Sequence, residues 1–345
     1  MSIWQRPSSP SCSGKTESPH RKARLFAALV PSLILLFFVS LALGSTSVDL
    51  GAALSALFAG DFDSPDLRII LYVRLPRVLG ALVAGSALAV SGVIIQAVLN
   101  NPMAAPNVIG VNSGAGLCAV RSMALAPRAV GLLPLAAFVG ALAASLCIWL
   151  IAAKTGAGRV TVTLVGVAVT SILGAGINTV KTLFPDSVYD SVGFMIGGLS
   201  GVSYDKLLPA ASAVAVCLAV AVIFARGLDI LSLGGETARG LGMNVGLCRF
   251  LMLMLASALA GAAVSFAGLL GFIGLLVPHI LRRIAGSSHR YLVPASALGG
   301  ALLVLLCDLL SRVIFAPYEL PVGILLSLIG GPFFVFLVLV QRNRE

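Results

Sequence analysis

Residues 74 to 116 read RLPRVLGALVAGSALAVSGVIIQAVLNNPMAAPNVIGVNSGAG, and the order of events along them decides the class of chain. Two arginines three residues apart open the stretch, and an uncharged run from Val78 to Leu99 follows. Asn100-Asn101-Pro102 breaks the run before the chain restarts among glycines. An apolar run of that length spans a bilayer as a helix. Gly80, Ala84, Gly85 and Ala89 place small residues at four-residue spacing. Small residues let a second helix approach closely in lipid, where no hydrophobic effect drives helices together. The segment is built to pack as well as to cross.

Composition says the same of the whole chain. Over 345 residues, 59% are hydrophobic and 10% charged, with a mean hydropathy of +1.05, whereas soluble domains carry about 25% charged residues. The chain is therefore read as an all-α polytopic membrane protein. Its net charge of +10 raises the question of nucleic acid. The basic residues, however, lie in short clusters between apolar runs, the pattern of cytoplasmic loops, so membrane lipid and not nucleic acid is the expected surrounding.

Residues 1–24 are polar, rich in Ser and Pro, and basic near their end, and read as a disordered cytoplasmic tail. Gly14-Lys15-Thr16 imitates the end of a phosphate-binding loop, but position 9 is Ser where that motif has Gly, and no apolar strand precedes it. Nucleotide chemistry is expected in another chain. Residues 25–345 form the transmembrane domain. Spans are placed at Leu25–Gly44, Leu75–Leu99, Val108–Ala126, Leu132–Ala153, Val160–Phe184, Leu207–Ala225, Phe250–Leu270, Phe272–Ile284, Leu292–Ser311 and Pro321–Val340. The first is read as retained, because about 20 apolar residues exceed the usual core of a signal peptide. The eighth is short and broken by Pro278, so a single long kinked helix with its predecessor is the alternative. Leu50–Phe58 is too short to span and is placed along the surface.

About ten spans with a cytoplasmic N-terminus put most of the 23 Lys and Arg residues inside, as the positive-inside tendency requires. The C-terminus then also lies in the cytoplasm. The six cysteines sit mostly in apolar runs without C-x-x-C spacing and behave as small hydrophobic residues. His20, His279 and His289 are scattered, so no metal site is expected.

Three constellations and one pair stand out. Arg74, Arg77 and Arg312 all fall near the predicted outer surface, where single arginines snorkel to the interface and a group of three suits an acidic partner. Asn101 to Pro106 holds two prolines four apart, which forbid a continuous helix; it is either an ordinary connection or a constriction beside a passage. Arg226 to Arg249, the longest cytoplasmic segment, carries Glu236, Thr237, Ala238 and Arg239 between glycines at 234/235 and 240/242. That pattern gives a short surface helix with hinge-like ends. Asp308 is the carboxylate clearly inside a span, and Arg312 at i+4 is its natural partner. Gly323, Ser327 and Gly331 repeat the small-residue spacing in the last helix.

Taken in order, RLPR, SG..IQ...NNPMAAP..IG..SGAG, LGGETARGLG, GFIGLLVPHI.R, HR.L.P.SAL.GA.L....D...R and ELPVGI....IGGPFF resemble the FecCD-type permeases. These are the transmembrane subunits of ABC importers for ferric siderophores, haem and cobalamin. The resemblance covers about Val73 to Arg342 and implies the type II importer architecture. It also implies a second permease subunit, identical or homologous, two cytoplasmic ATP-binding cassette subunits and a periplasmic or lipid-anchored binding protein. The location implied is the bacterial cytoplasmic membrane. Arg74, Arg77 and Arg312 would receive carboxylates of the binding protein. Asn101 and Met103 would belong to the cytoplasmic gate, with Gly158 and Arg159 as a second gate that departs from the usual Ser/Thr. Pro185 to Gly201 resembles the periplasmic gating region. Leu233, Gly234, Gly235, Glu236, Ala238, Arg239, Gly240, Leu241 and Gly242 would form the coupling helix against the ATPase. The chain would bind no cofactor and catalyse nothing, with ATP and Mg held by the partner. Ferric siderophore ranks first as cargo, ahead of cobalamin and haem. An ion-coupled secondary transporter, using Asp308, is the alternative of a different class.

Overall fold

The computed structural model describes residues 19–129, 131–154 and 159–342, and no strand occurs among them. The chain opens with α1 (Pro19–Ala42), α2 (Leu50–Ala59) and α3 (Pro65–Arg68). A π-helical turn (Ile69–Arg74) runs from α3 without a break into α4 (Leu75–Leu99). A 3-10 turn (Pro106–Ile109) then leads to α5 (Val111–Leu125), α6 (Leu132–Lys154), α7 (Arg159–Leu183), α8 (Asp186–Ile196) and α9 (Tyr204–Ile223). The two short helices α10 (Ala225–Ser232) and α11 (Gly235–Gly240) precede α12 (Val245–Ala267), α13 (Ile273–Ala285), α14 (His289–Val313) and α15 (Val322–Arg342).

Each of the ten spans read from the sequence coincides with one of these helices, and seven helices are long and apolar enough to cross a bilayer by themselves. The first helix begins at Pro19, inside the stretch assigned to the disordered tail. Residues 1–18 of that stretch lie outside the described residues. The joined-helix alternative for α12 and α13 does not hold, for a reason visible in the backbone. Gly268 takes φ 69° and Phe272 φ 65°, and a Cβ on Gly268 would stand 2.5 Å from the Phe194 carbonyl oxygen. The chain turns there because α8 passes too close for anything larger.

α4 is the axis of the fold. It packs against α14, α12, α13 and α9, and 78% of its most apolar stretch is buried, against 11% for α1 and 17% for α7. Its glycines set how close the neighbours come. A Cβ on Gly85 would lie 2.2 Å from the Gly300 carbonyl oxygen, and one on Gly92 would lie 1.9 Å from that of Gly274. Such distances mean backbone against backbone, so the small-residue stripe seen in the sequence is a seam between α4 and both α14 and α13. The stripe on α15 behaves differently. Gly323 packs against the Ile196 carbonyl, but Gly331 faces open space and Ser327 is exposed.

Candidate functional site

The polar side chains of the bundle gather at its two ends. At one end, Arg77 stands in the first turn of α4, where the backbone directs it across the seam to α14. Its Nε donates to Asp308 Oδ1 at 2.9 Å and its Nη1 to Glu319 Oε2 at 2.5 Å. Arg312 pairs with Asp308 Oδ2 at 3.1 Å and donates from Nη1 to the carbonyls of Ser40 and Leu43, each at 3.2 Å. Arg74 donates to the carbonyls of Leu41, Ala42 and Thr46 at 2.7, 2.6 and 2.6 Å, closing the open C-terminus of α1. Ser45 Oγ completes the cluster by donating to Glu319 Oε1 at 2.6 Å.

This geometry extends the expected Asp308–Arg312 pair. The Asp308–Arg312 pair is present, and Arg77 is a second cation on the same carboxylate. Asp308 is fully buried, and one cation left without it would face an uncompensated desolvation cost. The three arginines expected near the outer surface are buried: Arg74, Arg77 and Arg312 retain 4%, 6% and 2% of their exposure, and they donate to carbonyls and carboxylates of this chain, although Arg312 Nη2 has no partner among the described residues. The carbonyls at the end of α1 and the carboxylates of Asp308 and Glu319 take up the guanidinium donors. Glu319, outside the spans, is the half-exposed member. Burial by itself would raise its carboxyl, but the hydrogen bonds from Arg77 and Ser45 and the charge of Arg77 hold it below its ordinary value.

At the opposite end, α4 stops at Asn100, which adopts the left-handed conformation with φ 47° and donates from Nδ2 to the Ser232 carbonyl at 3.0 Å. Asn101 turns its Oδ1 back to accept from the Met103 N–H at 2.9 Å, so the break expected from Asn101 to Pro106 is a side-chain-capped turn. Asn101 is exposed, Met103 half-buried and Ala104 buried. One turn inside α4, Gln96 accepts from Arg282 Nη2 at 2.9 Å and donates to the Gly274 carbonyl at 3.2 Å. Gly158 lies outside the described residues, and Arg159 begins α7.

The Leu233–Gly242 segment forms a short helix, α11, between two glycines in the left-handed half of backbone space, Gly234 at φ 109° and Gly242 at φ 83°. Ala238 is buried, while Glu236, Arg239, Gly240, Leu241 and Gly242 are exposed and Gly235 is half-buried. Leu233 and Leu241 are each 62% exposed. One small residue anchors the helix and the rest of it faces outward, an arrangement that suits a contact surface. α10, just before it, is held by buried Ala225, Leu228 and Leu231.

Sequence reasoning missed Glu319 and Gln96 as partners in these clusters. Gln96 carried a signal, being an amide inside an otherwise apolar span. A third junction joins the end of α8, the α12–α13 break and the start of α15. Gly198 N–H donates to the Ala267 carbonyl at 2.9 Å, Leu269 N–H to Phe194 at 2.9 Å and Gly323 N–H to Gly197 at 3.1 Å. It places the Pro185–Gly201 region at the Arg77 end of the molecule.

These features define a class: a multi-pass, all-helical membrane protein with a helix broken at one face and a short exposed helix beside the break. Comparison with known proteins gives the family. A model of the FecCD transport family matches residues 32–340. The Fe(3+)-citrate import system permease protein YfmE of Bacillus subtilis (strain 168) is 35% identical over 96% of this chain and 100% of its own length. The hemin transport system permease protein HmuU of Yersinia pestis is 38% identical over 93% of this chain and 98% of its own. A solved structure reported as an inward-facing conformation of a metal-chelate type ABC transporter superposes with a TM-score of 0.82 at 27% identity, covering 92% of this chain and 98% of that one. The chain belongs to the FecCD transport family. It is a transmembrane permease subunit of an ABC importer, and ATP hydrolysis resides in a separate subunit of such systems.

Proposed function

We propose that this permease moves a ferric siderophore into the cytoplasm by alternating access, with two ATP-binding cassette subunits engaging α11 and a binding protein delivering cargo at the Arg77 end. The observation that carries the mechanism is the exposed α11, hinged at Gly234 and Gly242 and flanked by exposed Leu233 and Leu241. Two leucines exposed on either side of a short surface helix supply apolar contact area for a partner. A second permease subunit, identical or homologous, pairs with this one. ATP and Mg belong to the partner ATPases, and this chain binds no cofactor. Asn101 and Met103 form part of the cytoplasmic gate, and Arg159 with Gly158 a second element of it. The α11 end faces the cytoplasm together with both termini, in the cytoplasmic membrane of a bacterium.

The iron cargo rests on relatives whose names specify Fe(3+)-citrate, hemin and siderophore transport. A relative named for cobalamin import, 39% identical over 80% of this chain, keeps cobalamin as the alternative, with haem beside it. Docking of the binding protein on the arginine cluster proceeds by exchange, a partner carboxylate replacing half-exposed Glu319 on Arg77. A secondary transporter would need an ionisable group free to carry the coupling ion, and Asp308 is committed to two arginines.

Uptake into proteoliposomes holding this chain with its ATPase and binding protein tests the proposal. Labelled ferric siderophore should accumulate with ATP and continue after the proton gradient is dissipated. Accumulation of cobalamin or haem alone would replace the cargo, and uptake driven by the gradient without ATP would overturn the mechanism.

A further inference from the structure

α10 stands between exposed α11 and the ends of α4 and α14. Leu228 and Leu231 seat it, and two polar contacts fix its register. Asp229 Oδ1 accepts from the His289 backbone N–H at 2.7 Å and lies 2.7 Å from the His289 Nδ1, while Ser288 Oγ is 3.5 Å from Oδ2. One turn further along, the Ser232 carbonyl accepts from Asn100 Nδ2. His289 is the first residue of α14, and Asn100 ends α4.

The contact at His289 fills a specific need. Helix N-termini leave N–H groups without partners and carry partial positive charge. Ser288, in the capping position of α14, makes no side-chain capping bond. Asp229 supplies the missing acceptor from another element. A carboxylate bonded to both backbone and ring is a stronger link than an apolar contact alone, and it is directional. α10 therefore grips the start of α14 and the end of α4, whose far ends carry Asp308, Arg312 and Arg77.

We propose that Asp229 is the positioning residue that couples displacement of α11 to α14, through its bonds to His289, so that movement imposed on the exposed helix is delivered to the paired helices α4 and α14. This rests on the reading above that α11 meets the ATPase. Leu228 and Leu231 keep α10 in place, and Asp229 makes α14 follow it.

The test measures ATP hydrolysed and labelled cargo accumulated in the same proteoliposomes, with the complete complex of permease, ATPase and binding protein. For Asp229→Ala, cargo moved per ATP hydrolysed should fall about tenfold, within the usual range of coupling between sites. Asp229→Asn keeps an oxygen for the His289 N–H and should restore the ratio to within about twofold of the wild type. An unchanged ratio in Asp229→Ala, with the wild type transporting, overturns the proposal. So does loss of the ATPase from the purified Asp229→Ala complex, which would make the residue one of assembly. A wild-type complex that hydrolyses ATP without moving cargo instead overturns the importer reading and this inference with it.

Discussion

At the scale of single residues, the buried charges at the Arg77 end make the sharpest demands. Asp308 holds two guanidinium groups in a place without water, so Asp308→Ala leaves both without their counter-charge. Removing one partner of a buried pair costs about 3–5 kcal/mol, and the detergent-purified permease should melt well below the wild type. A melting temperature that stayed put would mean that the arginines find water instead. Glu319 makes the matching prediction in pH. Its carboxyl is held below its ordinary value of 4.5 by Arg77 and Ser45, so its contribution is complete above that value and is lost as pH falls through the lowered folded-state value. Stability measured against pH should therefore separate wild type from Glu319→Gln above about pH 4.5, with the difference shrinking below it and vanishing once pH passes the lowered folded-state value. Curves that remained parallel through acid would remove Glu319 from the cluster.

At the scale of elements, the glycine seams of α4 decide how the helices lie. Gly92→Ala would place a carbon 1.9 Å from the Gly274 carbonyl oxygen, which only separation of α4 from α13 relieves. Overpacking of this kind costs about 1–3 kcal/mol, and backbone contact puts Gly92→Ala at the upper end. Gly174→Ala on α7 meets nothing within 4 Å and should gain up to about 1 kcal/mol of helix propensity. Thermal melts of the two variants should move in opposite directions, and equal shifts would contradict the seam. The helices themselves were legible in the sequence because span length and small-residue spacing are local properties. The turn after α4 was legible too, since Asn101, Pro102 and Pro106 constrain the backbone wherever they occur. Bonds across the fold were not. Arg77 with Asp308 and Asp229 with His289 join residues far apart in the chain, and the spacing of neither pair reports the contact. The arginines were placed near the outer surface because a sequence gives depth along a helix, but not which carbonyls or carboxylates of distant elements a side chain will reach.

At the scale of the whole molecule, the two ends can be told apart by what they carry, and the orientation proposed above is one that fusion reporters can test. One end brings together Arg21, whose Nη2 donates to the Arg283 carbonyl at 3.1 Å, Lys22 over the Tyr291 ring at 4.4 Å, Arg282 on Gln96 and the α11 surface with Arg239. The other holds Asp308 and Glu319, and Asp49 capping α2 through the N–H groups of Gly51 and Ala52. Basic residues between spans favour the cytoplasmic side, and the orientation proposed above turns the Arg282 end inward. α1 starts at that end, and an even number of crossings returns the last helix to it. A fluorescent protein fused after Glu345 should therefore fold and fluoresce, and a phosphatase active only outside the cytoplasm should be silent there. The same phosphatase inserted between Pro317 and Glu319 should be active. Activity after Glu345 would mean nine crossings, and because α12 and α13 are already separate helices, the helix at fault would be one of the short ones, α5 or α13. Loss of α5, which precedes α11, would put α11 on the exterior, where no ATP-hydrolysing subunit could reach it; loss of α13, which follows it, would leave α11 inside.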